Sequence, residues 1–125
     1  MLFGRKKPVT AATPLGDAEL KDEILAVKWR HQGLTIQIVW RQNDSGAVQR
    51  IQAIQADFDR YWRLALEELE VNSFEERLEQ IIPDQLWFDE EDAKWTLCFG
   101  CPQWEDATWG VTFQDGKPVD WFHGD

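Results

Sequence analysis

The stretch VQRIQAIQADFDRYWRLALEEL, Val48–Leu69, decides how the rest of the chain is read. Val48, Ile51, Ile54, Phe58, Tyr61, Trp62, Ala65 and Leu69 recur every three or four residues, with Gln, Arg, Asp and Glu between them. That period puts the apolar residues on one stripe of an α-helix. Asn43-Asp44-Ser45, just upstream, are helix N-cap residue types. Together they predict one amphipathic helix of about seven turns at 3.6 residues each. So long a stripe needs a broad apolar surface to cover it, and a sheet is expected on either side.

Upstream, the period is two. In ILAVKWRH, Leu25, Val27 and Trp29 alternate with Ala26, Lys28 and Arg30. In LTIQIVWR, Leu34, Ile36, Ile38 and Trp40 take one face, and Thr35, Gln37 and Arg41 the other. With Gln32-Gly33 as the turn, the two runs read as a β-hairpin. Order is expected from about Glu19, with residues 1–18 a disordered basic leader and 19–125 one α+β domain.

Downstream, Ser73 would cap a shorter helix, FEERLEQII, with Phe74, Leu78, Ile81 and Ile82 inward and Pro83 as its stop. Asp84–Asp92 reads as a loop. Period two then returns. Trp95, Leu97, Phe99 and Cys101 share one face, and Thr96, Cys98 and Gly100 the other. A loop is expected over Pro102–Ala107, followed by TWGVTF with Trp109, Val111 and Phe113 inward. Asp115-Gly116 is a strong hairpin signal, and PVDWFH returns. The expected fold is α+β: an antiparallel sheet of about five strands in the order β-β-α-α-β-β-β, with one long and one short helix on one face.

The net charge of −10 is unevenly placed. Residues 67–92 hold eleven acids against Arg77 alone, whereas residues 1–16 hold Arg5, Lys6 and Lys7 and no acid. Such a field repels nucleic acid and favours a cationic partner. No apolar run reaches the length of a spanning helix, and the first residues lack the apolar core of a secretory signal. Three basic residues without an apolar anchor give no stable membrane association. Two cysteines make no disulfide scaffold. The cytoplasm is the expected compartment.

No Gly-rich phosphate loop, HExxH or GxSxG occurs, so neither a catalytic residue nor a cofactor is assigned. Asp89–Asp92 lacks the spacing of an EF-hand, and adjacent Glu105-Asp106 are not carboxylates opposed across a cleft. Cys98 and Cys101 with His31 and His123 would form the set of an alternative reading, a metal- or small-molecule-binding domain, enzymatic or not. If Trp95–Cys101 is a strand, however, the two thiols point to opposite faces. Of the eight tryptophans, Trp29, Trp40, Trp62, Trp95 and Trp109 fall on expected inward faces; Trp87, Trp104 and Trp121 do not. Acid beside spare aromatics favours binding over catalysis. The leading expectation is a non-enzymatic module that docks a basic protein. Glu75, Glu76, Glu79, Asp89, Glu90, Glu91 and Asp92 would supply the field, and Trp87, Phe88 and Trp104 the anchors. Oligomerisation through Val119–His123 is a further expectation if that strand is a sheet edge.

Trp104, Glu105, Gly110, Val111, Phe113, Asp115, Gly116 and Lys117 carry a resemblance. The stretch from Trp104 to Asp125 resembles the end of small acidic bacterial domains of unknown function, some found in toxin–immunity neighbourhoods. The resemblance implies a hairpin–helix–helix–strand order and an immunity-type inhibitor, and it implies no catalytic residues.

Overall fold

One parallel strand pair organises the molecule. The computed structural model describes residues 9–71, 81–88, 93–101 and 104–124. Strands β1 (Val9–Thr13), β2 (Gly16–Lys21), β3 (Ile24–His31) and β4 (Leu34–Arg41) form an antiparallel meander. Helices α1 (Ala47–Ala56) and α2 (Phe58–Val71) follow. Strands β5 (Ile82–Phe88), β6 (Trp95–Cys101), β7 (Trp104–Gln114) and β8 (Lys117–Gly124) form a second meander. β5 lies parallel beside β4, so the eight strands make one mixed sheet in sequence order. A parallel pair cannot be joined by a tight turn, and the two helices lie in the crossover. This mostly-sheet architecture replaces the expected five-strand α+β layout.

Three corrections account for the difference. The first is an added hairpin: β1 and β2 occupy much of the expected leader. Thr13 closes their turn, its Oγ1 donating to the Gly16 carbonyl at 2.6 Å and accepting from the Leu15 amide at 3.1 Å. The turn into β3 is made by Asp22 (φ 52°) and Glu23 (φ 67°), both in the left-handed region. Glycine and asparagine are usual there, and neither is present to signal it.

The second correction is β5 itself, where the sequence suggested a helix end and a loop. Burial alternates along β5, but Trp87 on the outer side is apolar, so Leu86-Trp87-Phe88 reads as an unbroken apolar run in the sequence. Pro83 is tolerated because the β5–β6 register shifts between Pro83 and Gln85. β7 likewise begins at Trp104, inside the expected Pro102–Ala107 loop. The expected short helix FEERLEQII lies outside the described residues over 74–80; of its end, Ile81 is buried as expected, whereas Ile82 opens β5 and is exposed.

The third is the long helix, which divides at Asp57 (φ −125°, ψ 24°). The Asp57 amide donates to the Ile54 carbonyl at 3.1 Å, and its carbonyl accepts from Arg60 and Tyr61 at 3.1 and 3.3 Å. Its carboxylate pairs with Arg60 Nε at 2.7 Å. One residue therefore ends α1 and starts α2. The apolar stripe survives the break, with Ile51, Ile54, Phe58, Tyr61, Ala65 and Leu69 all buried.

Of the expected inward residues, Leu25, Val27, Ile36, Ile38, Trp40, Trp95, Leu97, Phe99, Trp109, Val111 and Phe113 form the core with that stripe, and Trp29 packs half-buried against it; Leu34 stays outside the core, and the side chain of Cys101 lies outside the described residues. Trp95 stacks between Phe88 (5.6 Å) and Phe113 (4.6 Å), and Tyr61 meets Trp95 and Phe113 edge-on at 5.0 and 5.4 Å. Such pairs contribute roughly 0.5–1.5 kcal/mol each beyond the area they bury. The expected turns hold as well: Gln32 and Gly33, and Asp115 and Gly116, all have positive φ. Among the described residues, no helix is long and apolar enough to cross a membrane.

Candidate functional site

The last turns of α2 carry Glu67, Glu68 and Glu70, with no basic residue in the final turn. Glu67 and Glu70 are exposed, and Val71 beside them is 79% exposed. Unsatisfied carbonyls already give a helix C-terminus a partial negative charge, so carboxylates there are electrostatically unfavourable. Their placement concentrates negative potential at one end of α2, the helix that packs against β8.

The expected site residues are distributed unevenly. Glu75, Glu76, Glu79, Asp89, Glu90, Glu91 and Asp92 lie outside the described residues, as does the side chain of Trp104. Phe88 is 2% exposed and stacked on Trp95, so it belongs to the core and cannot anchor a partner. Its alternation partner Trp87 points to the helix-free face, half-buried. There the Trp87 Nε1–H donates to Gln85 Oε1 at 2.6 Å, and the indole stacks on Phe122 at 6.3 Å. β5 and β8 are three strands apart, so the two rings lean together across β6 and β7. They shelter Thr96 and Cys98, which are fully buried although no helix among the described residues covers that face. Thr96 and Thr112 share a hydroxyl hydrogen bond of 3.0 Å beneath them. A methyl group at Gly110 would overlap the Phe122 ring, which explains the glycine.

The alternative metal set does not assemble from its described members. His31 follows Trp29 on the helix-facing side and meets Phe58 at 5.2 Å, whereas Cys98 faces the other side of the sheet. The side chains of Cys101 and His123 lie outside the described set. Among the described residues, no group of three or more His, Cys, Asp or Glu could hold a metal ion.

A cluster that sequence reasoning missed joins the β3–β4 turn to α2. Asp59 accepts from His31 Nε2 at 3.0 Å and from Gln32 Nε2 at 3.2 Å, while Trp29 stacks on the imidazole at 4.6 Å. The His31 hydrogen bond holds the Asp59 carboxyl below the usual range against an opposing desolvation, with a lesser contribution from Gln32. A shallow cavity of about 300 Å³ adjoins it, lined by Gln55, Ala56, Asp57, Phe58, Arg60 and Arg63 besides the pair. Neither the pair nor this lining includes a hydroxyl or thiol nucleophile, so the geometry is that of a latch between hairpin and helix. Nothing in the sequence announces it, because the partners are 28 positions apart.

A second carboxylate latch fixes the entry to α1. Asp44 pairs with Arg50 Nη2 at 2.5 Å and accepts from the Gly46 amide at 3.2 Å. The Arg50 hydrogen bond lowers the Asp44 pKa despite partial desolvation. Asp84 behaves in the opposite way. It reaches solvent at the β5 bulge, yet the chain around it desolvates the carboxyl and pushes its pKa up. Comparison with protein-family models, characterised proteins and solved structures yields no match, so the site is read from its own geometry.

Proposed function

We propose that the protein is a non-enzymatic cytoplasmic binding module that docks a cationic protein partner on the acidic end of α2 and the chain that follows it. The observation that carries this reading is the run Glu67, Glu68, Glu70 at the helix end where negative charge is least favoured. It opens the 67–92 segment, whose eleven acids face a single arginine. Carboxylates placed at that helix end, beside an exposed Val71, fit a surface kept for a partner. The C-terminal resemblance to immunity-like domains suggests a specific case: an inhibitor that covers the cationic substrate groove of a toxin.

The test uses the full chain as bait in lysate of its source cells, followed by kinetics on the purified partner. Opposite charges steer encounter, so the association rate should fall by ~10-fold or more between 20 and 300 mM salt. Glu67→Gln with Glu70→Gln should slow association at low salt and leave it unchanged at high salt. An association rate indifferent to both salt and these substitutions contradicts the proposal.

A further inference from the structure

We infer that β1 is a pairing edge and that its occupant is a second copy of this chain, joined antiparallel about Ala11. Both outermost strands of the sheet, β1 and β8, have one row of backbone groups without a strand partner among the described residues. Exposed edges invite pairing with another chain, and proteins usually blunt them with Lys, Pro or another charge. β8 carries Lys117, Pro118 and Asp120. β1 reads Val-Thr-Ala-Ala-Thr; Pro8 and Pro14 bracket it and Arg5-Lys6-Lys7 precede it, but none of its own five residues is charged or proline, and its Val9 is 61% exposed.

Charge decides both the edge and the occupant. Self-pairing at β8 would bring together two copies of α2, which packs against β8 and ends in Glu67, Glu68 and Glu70. That argues against the expected oligomerisation through Val119–His123. Residues 9–46 on the β1 side carry five acids and four bases, and Arg5, Lys6 and Lys7 precede them, so this flank lacks the dense acidity of the α2 end. Pairing at β1 sets the two β5 strands nine strand spacings apart, roughly 40 Å along the sheet. The Debye length in physiological salt is about 8 Å, so the acidic ends of the two copies do not oppose the contact. Within the pair, Val9 faces Thr13 of the other copy, Thr10 faces Ala12, and Ala11 faces Ala11. No like charges meet in this register, and β-branched side chains occupy three of the five positions. Five residue pairs bury less than a standard interface, so the dimer is weak and forms in the high micromolar range.

Sedimentation equilibrium of the full chain from 10 µM to 1 mM tests the inference, with the unfolding midpoint of every variant as a control for folding. The wild type should shift from monomer to dimer over that range. Thr10→Lys with Ala12→Lys opposes ammonium groups on the exposed outer side of the pair and should weaken dimerisation at least tenfold. Ala11→Cys places two thiols opposite each other, and oxidation should yield a covalent dimer; Val119→Cys should not. A wild type that stays monomeric at 1 mM overturns the inference. So does a dimer untouched by the double lysine variant, or one cross-linked through Val119→Cys, because either places the contact elsewhere.

Discussion

On the helix-free side of the sheet, the two meanders follow different rules. The outer face of β2–β4 carries Asp17, Glu19, Lys28, Gln37 and Val39, all exposed or half-buried, and the first four line an open groove of about 310 Å³. In the corresponding rows of β5–β8 stand Trp87, Thr96, Cys98, Gly110, Thr112 and Phe122, and Thr96 and Cys98 there are fully buried. The first meander is a one-sided sheet of the ordinary antiparallel kind. The second has a core on each face, and among the described residues the outer one is covered by two leaning aromatic rings and not by a helix. The difference locates rigidity: β5–β8 and the α2 that crosses them support the acidic end, while β1–β4 present a near-neutral flank.

Substitutions on the outer faces should separate the halves most strongly. Trp87→Ala or Phe122→Ala removes half of the aromatic cover and should cost ~2–4 kcal/mol, read from urea unfolding. Lys28→Ala, on the outer face of the first meander, should stay within ~0.5 kcal/mol. Gly110→Ala should cost ~1–3 kcal/mol through overlap with the Phe122 ring. Combined with Phe122→Ala it should cost less than the sum, since the ring it strikes is gone.

The hairpin turns offer a smaller contrast. Asp115-Gly116 in the second meander and Asp22-Glu23 in the first adopt the same pair of positive φ angles, but only the former has glycine at its second position. Gly116→Ala should lose ~1 kcal/mol, and Glu23→Gly should gain ~0.5 kcal/mol, as changes in unfolding midpoint.

Two carboxylates, one in each half of the chain, should respond to pH with opposite sign. The Asp44 pKa is lowered by Arg50, so its contribution is present above the usual carboxylate range and is lost as pH falls through the lowered value. Asp44→Asn should therefore lower the melting temperature at pH 7 and leave it unchanged in strong acid. The Asp84 pKa is raised by desolvation, so its penalty is present above that raised value and fades as pH falls toward the unfolded value. Asp84→Asn should raise the melting temperature at pH 7, with the gain vanishing in acid.

What the sequence revealed follows from which signals are local. Alternation in β3, β4, β6 and β7 and the Gln32-Gly33 and Asp115-Gly116 turns depend on neighbours in the chain, and each was legible. The β2–β3 hairpin was not, because Asp22-Glu23 adopts a glycine-like turn without glycine. β5 was not, because apolar Trp87 on the outer side fills the gap between Leu86 and Phe88, and the irregularity between Pro83 and Gln85 breaks the period. The division of the helix was hidden because Asp57 interrupts the hydrogen bonding and not the apolar period. At the candidate site, the acidic field of 67–92 could be read from composition. The burial of Phe88 and the outward turn of Trp87 could not, since both follow from β5 being a strand. The Asp59 latch and the Trp87–Phe122 cover join residues far apart in the chain, and no spacing rule points to either.

Thiol labelling of Cys98 tests the contrast between the two faces most directly. In a Cys101→Ser background, the account predicts that Cys98 labels only as fast as the chain unfolds. Lys28→Cys in a background lacking both native thiols should label at nearly the rate of a free peptide thiol, and adding Trp87→Ala to the first protein should speed Cys98 labelling. Cys98 labelling in the folded protein as fast as Lys28→Cys would contradict the account, because the outer face of the second meander would then be open.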